Sequence, residues 1–109
     1  MRNVMITLAG VALTGATLCA QARDLRPDDR YMCAWGAGTA ARAQELKLAG
    51  VSRYAAREKI HTMKFSKGWM RMLALGITEQ TYDNATRARP AVVHDTFYEG
   101  CLHYKLARK

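Results

Sequence analysis

From residue 31 onward, apolar and small side chains recur at intervals of three and four, the period of a helix with one buried side. Between residues 31 and 49 that stripe is Cys33, Ala37, Ala40, Ala41 and Leu48, with Gln44 completing it and Arg42, Glu45 and Lys47 lying off it. Asp28 or Asp29 is placed to cap this helix, where negative charge suits the positive end of the helix dipole. Gly36 and Gly38 lower helix propensity but let a neighbouring helix come close, and Gly50 supplies a C-terminal stop. Ser52 is the expected cap of a second helix, from 53 to about 64, with Ala56, Ile60 and Met63 on its apolar side. Ser66 is the expected cap of a third, which enters the strongly apolar stretch 68–76. Gly76-Ile77-Thr78 then reads as a break, with Thr78 capping a turn or short helix to about 85, or as a kink in one longer helix. After a polar linker at 84–89, Pro90 opens a last helix that carries Val93, Phe97, Cys101 and Tyr104 on one side. No alternating strand pattern with a hairpin turn interrupts this series. The expected fold is a small all-α bundle of four or five helices.

The first residues follow a different rule. Arg2 is followed by an uncharged run from 4 to 18, and then by Ala20-Gln21-Ala22, whose small residues occupy the −3 and −1 positions of a signal-peptidase site. The run is shorter than the roughly 20 residues needed to span a bilayer as a helix. Leu18 before Cys19 is too large for the usual lipidation signal, so Cys19 reads as an ordinary leader residue. The organisation expected is a cleavable signal peptide at 1–22, a polar leader at 23–30 and one helical domain at 31–109, exported to the periplasm with no stable transmembrane segment after processing.

Export changes the cysteine arithmetic. Of three cysteines, Cys33 and Cys101 remain after cleavage, and in an oxidising compartment a Cys33–Cys101 disulfide is the default. Each sits on the buried stripe of its helix, so the bridge is expected to join the first helix to the last across one core. On the chain-entropy model such a long loop contributes roughly 4 kcal/mol.

The side chains supply little chemistry. The sequence has no Gly-rich phosphate loop, no G-x-S-x-G elbow, no H-E-x-x-H zinc helix and no C-x-x-C pair. Cys101 and His103 are two apart and point to different sides of a helix, so no metal site is expected. His94-Asp95 lacks a placed nucleophile, and Glu79 and Asp83, four apart, read as a solvated face. No catalytic residue and no cofactor is expected. An enzyme ranks third among the readings, to be revived by a deep pocket around His94, Glu99 or His103.

Charge adds one directional feature. The chain has a net charge of +8, reduced to +7 once Arg2 leaves with the leader. Arg53, Arg57, His61 and Lys64 share one helical face, continued by Lys67 and Arg71, and form the candidate face for an anionic partner. Trp69 and Met70 are the candidate apolar contact, although Trp69, Met72 and Leu73 at helical spacing also suit a core. Export removes the usual nucleic-acid partner of a basic chain.

Cys33, Ala40-Ala41, Gly50-Val51-Ser52 and the closing Phe97-Tyr98-Glu99-Gly100-Cys101 together resemble the layout of small exported helical proteins of proteobacteria. That resemblance implies a disulfide-closed periplasmic helical protein and carries no catalytic residues. The leading functional expectation is a non-enzymatic periplasmic binding protein, of the inhibitor or immunity type, whose partner is another envelope protein. The alternative is a stress or envelope-surface factor that binds unfolded clients or anionic surfaces through its basic and apolar faces.

Overall fold

A computed structural model describes residues 25–107; the leader at 1–22 lies outside the described residues. Four helices follow in order: α1 Pro27–Leu48, α2 Arg53–His61, α3 Gly68–Asp83 and α4 Pro90–Ala107. No strand occurs among the described residues.

The first helix starts earlier than its apolar stripe suggests. Pro27 occupies its first turn, Asp28 and Asp29 follow it there, and Arg26 is the N-cap without a side-chain hydrogen bond. Neither aspartate is therefore the cap; both lie inside the first turn, where their charge still suits the dipole. Leu25 is buried, so the polar leader ends in an apolar anchor against the bundle. At the other end Gly50 adopts φ 85°, and its N–H donates to the Lys47 carbonyl while the Val51 N–H donates to that of Leu46. This pair of bonds is the Schellman stop, and the positive φ it sets at Gly50 favours glycine over a residue with a Cβ.

The second helix ends sooner than expected, at His61 rather than near 64. Ser52 caps it as expected, its Oγ accepting from the Ala55 N–H at 3.1 Å. At the far end the Thr62 hydroxyl is 3.1 Å from both the Glu58 and Lys59 carbonyls, satisfying groups that a further turn would have used. Met63 consequently leaves the apolar stripe and is 49% exposed.

In α3, Gly76 neither breaks nor ends the helix, which runs unbroken from Gly68 to Asp83. Thr78 is not a cap but a fully buried helical residue, its hydroxyl donating to the Ala74 carbonyl at 2.7 Å. Nor is Ser66 the cap: that position is Lys67, and Ser66 Oγ lies 3.6 Å from Met70 Sδ.

α1 is the central element. It packs against α4 on one flank and α3 on the other, and α2 forms a hairpin with α3. Being sandwiched explains why its buried set, Cys33, Gly36, Ala37, Ala40, Ala43, Gln44 and Leu46, is wider than a single stripe. Small residues dominate that set because two helices must approach the same rod. An added Cβ at Gly36 would lie 2.7 Å from Phe97 Cε1, so the glycine is what lets the α4 ring rest on the α1 backbone. Gly38 has nothing within 4 Å of such a Cβ and plays no comparable part.

The Cys33–Cys101 bridge joins α1 to α4 with Cα atoms 5.6 Å apart. Cys33 is fully buried, but Cys101 is only half-buried, and α4 contains no fully buried residue. The stripe of Val93, Phe97, Cys101 and Tyr104 is thus one flank of a helix that has a neighbour on one side alone; Tyr104 is 59% exposed. No helix among the described residues is long and apolar enough to cross a membrane.

Candidate functional site

The six-residue basic face divides into two parts. Arg53 and Arg57, on α2, lie against Glu79 and Asp83 of α3. Arg53 Nη1 donates to Glu79 Oε2 at 3.1 Å, and its Nη2 is 2.6 Å from Asp83 Oδ1. Arg57 Nε is 2.9 Å from Glu79 Oε1, an ion contact without hydrogen-bond geometry. The hydrogen bond to Asp83 raises the Arg53 guanidinium above its ordinary range, and the charges of Asp83 and Glu79 act in the same sense. These two arginines thus face carboxylates of the same protein, with their side chains still about half exposed, whereas their spacing alone suggested a face without internal partners.

The rest of the face is open. His61, Lys64, Lys67 and Arg71 are all exposed. Lys64 and Lys67 have no acidic partner among the described residues. Arg71 donates to the Met63 carbonyl at 3.1 Å, and its guanidinium carbon sits 5.4 Å from the centre of the Phe65 ring. Phe65 belongs to an aromatic cluster built edge to face: Trp35 lies 6.0 Å from Phe65 and 5.4 Å from Trp69, and Tyr31 lies 6.3 Å from Trp69. Trp69 is half-buried in this cluster. Met70, the other candidate apolar contact, is instead core at 3% exposure, whereas Met72 is 78% exposed. The helix phase is responsible: Met70, Ala74, Ile77, Thr78 and Thr81 form the buried side of α3, and this places Met72 outward.

A second feature lies on the other flank of α1. No Cα of α3 comes within 8 Å of a Cα of α4, so the backbones of the two helices stay apart on either side of α1, while Ile77 of α3 and Phe97 of α4 both reach the space over Gly36. A cleft of about 750 Å³ runs between the two helices, and none of its lining side chains is charged. Its floor includes Gln44, which is 0% exposed. The Gln44 amide nitrogen donates to the carbonyls of Thr86 at 3.2 Å and Ala88 at 2.8 Å, tying the α3–α4 linker to α1. Its carbonyl oxygen, Oε1, has no hydrogen-bond partner. Lys47 closes the same end by donating to the carbonyls of Thr81, Asn84 and Thr86 at 3.2, 2.6 and 2.9 Å. The sequence pattern places Gln44 on the buried stripe; the polar exception in an alanine-rich face was the available signal for a functional position.

The histidines stand apart from these features. His94 Nδ1 is 2.9 Å from Asp95 Oδ1, and its ring stacks on Tyr98 at 6.4 Å. His94, Glu99 and His103 line neither the cleft nor the smaller one between α1 and α2, of about 570 Å³. Among the described residues no group of three or more potential ligands could hold a metal ion. Compared with known proteins, the chain matches no family model, no curated protein and no solved structure.

Proposed function

We propose that this chain is a non-enzymatic periplasmic binding protein of the inhibitor or immunity type, which docks on an acidic patch of another envelope protein through the loop between α2 and α3. The observation carrying this reading is the pairing of open cations with presented aromatic surface. Arg71 is held over Phe65, Lys64 and Lys67 flank that ring in the chain, and Trp69 stands behind it. Arginine and aromatic side chains on a fixed scaffold are the usual anchors of protein interfaces. The disulfide supports an oxidising compartment, where such bonds persist.

The test is retention of a partner from periplasmic extract by immobilised, oxidised protein. The proposal expects a specific partner that is retained by the native surface and lost with Lys64→Glu/Lys67→Glu, and a Gly100→Leu control on α4 that retains it. No specific retention, or equal retention by the double variant, overturns the proposal. The exposure of Met63 and Met72 beside these cations favours one second reading, a surface factor that rests on anionic lipid or unfolded clients. Its mark is binding to anionic vesicles that weakens as salt rises, since a Debye length of about 8 Å at physiological salt screens open charges.

A further inference from the structure

The cleft between α3 and α4 is separate from that docking surface and has its own chemistry. Its residues change character along its length. Where the linker joins the two helices, the lining includes Gln44, Thr81 and Thr86; away from it the lining includes Ile77 of α3 and Val93 and Phe97 of α4. The buried Gln44 Oε1 is an acceptor that lacks a donor, at the polar end of an apolar trough. Both Gln44 N–H groups are engaged by backbone carbonyls, so turning the amide over would set oxygen against oxygen and cannot relieve the vacancy. A buried polar atom left without a partner costs about 1–3 kcal/mol, and native proteins carry few of them.

We propose that this cleft binds a neutral amphiphile, whose hydroxyl or amide N–H donates to Gln44 Oε1 while its hydrocarbon part lies against Ile77, Val93 and Phe97. Three observations fix the class. The volume of about 750 Å³ falls in the range of small-molecule sites. No lining side chain is charged, so an ammonium finds no counter-ion there, and the one cation at its linker end, Lys47, is already engaged by the carbonyls of Thr81, Asn84 and Thr86. Among the buried polar atoms of the lining, the one without a partner is an acceptor, which favours a ligand that donates.

Octanol and dibutyl ether test this directly, being isomers of equal composition of which only octanol carries a donor. Amide NMR shifts of the oxidised protein are followed during titration, with the Gln44 side-chain amide as the local reporter. Octanol is expected to bind saturably, moving Gln44, Ile77, Val93 and Phe97, about fivefold to tenfold more tightly than dibutyl ether, the factor that one net hydrogen bond supplies. Octanoate is expected to bind more weakly than octanol. Gln44→Met should reduce octanol to the affinity of the ether. Since that change also frees the linker, Gly100→Leu is the independent variant: Gly100 lines the cleft, and an added Cβ meets nothing within 4 Å, so the helix is kept while the trough is filled. It should abolish the octanol shifts at unchanged thermal stability. Equal affinity for the two isomers, shifts confined to the Phe65 end, or shifts that persist in Gly100→Leu overturn the proposal. So does a native chain that is dimeric and indifferent to octanol, and that Gly100→Leu makes monomeric, because the occupant is then a second copy.

Discussion

Removing the disulfide perturbs α4 more than any other element. The bridge spans a sequence separation of 68. Closing a loop of that size lowers the entropy of the unfolded chain by an amount equivalent to about 4 kcal/mol on the chain-entropy model. A domain this small has a total stability of roughly 5–10 kcal/mol, so the loss removes a large share of it. The appropriate variant is Cys33→Ala/Cys101→Ala, because Cys33 is fully buried and a serine would bury a hydroxyl. The loss should also be uneven. α4 has no fully buried residue and α1 is the one helix whose backbone lies close to it, so its remaining ties include the Phe97 ring over Gly36, the Gln44 bonds to the linker and a 3.6 Å contact between Lys105 and Asp29. A single helix of this length is marginal in water without packing. With a urea slope of about 1–1.5 kcal/mol per M, the midpoint of unfolding should fall by about 3 M. Hydrogen exchange should show α4 amides opening well before those of α1. The reasoning is refuted if the midpoint moves by less than about 0.5 M, equivalent to well under 1 kcal/mol. It is equally refuted if α4 and α1 stay equally protected in the variant.

Two further predictions rest on single residues at the junction of α1, α2 and α3. Gly50→Ala places a Cβ at φ 85° and should cost about 1–2 kcal/mol, read as a lower melting temperature, with Gly50→Asn costing less. Tyr82 donates to the Val51 carbonyl at 2.8 Å, and burial raises its phenol above the ordinary value of 10.0. The folded state therefore holds this proton more tightly than the unfolded chain. Its contribution to stability is complete below the ordinary tyrosine value and is lost as pH rises through the raised one. Tyr82→Phe should remove that alkaline loss, as seen in unfolding curves against pH; an unchanged alkaline profile contradicts the assignment.

Much of the fold was legible in the sequence because its strongest signals are local. Ser52, Gly50 and Pro90 act on the residues beside them, and the structure places all three as their chemistry demands. Cys33 and Cys101 were legible as a pair because two separate periodicities put them on facing stripes. The misread positions share a different cause. Gly76 has a low intrinsic propensity, yet tertiary packing of Met70, Ala74, Ile77 and Thr81 on one side of α3 carries the helix past it. Met70 and Met72 exchange roles because four apolar residues in a row leave the helix phase undetermined until neighbours select it. Glu79 and Asp83 do remain at least partly solvated, but their pairing was hidden because the partners lie on another helix, and no local pattern announces a contact 26 positions distant, as between Arg53 and Glu79. The cleft was illegible for the same reason: it is the space between two helices whose backbones stand apart on either side of a third.

That arrangement couples the staple to the site. In a conventional four-helix bundle, neighbours close around a shared core, and the space between α3 and α4 would be filled by their own side chains. Here α1 supplies small residues to both flanks, so each neighbour approaches it closely while the two stay apart. α3 is held in place by its hairpin with α2, by the Arg53–Asp83 and Arg53–Glu79 pairs and by Lys47 at its C-terminal carbonyls. α4 has no such second neighbour, so the far wall of the cleft depends on the bond from Cys101 to Cys33. Reduction should therefore abolish octanol binding at concentrations of denaturant where α1 and α3 remain folded, whereas the docking end around Phe65 and Arg71, built on α1 and the α2–α3 hairpin alone, should keep its partner. Loss of both activities together would mean that the helices form one cooperative unit and that α4 is no separable wall.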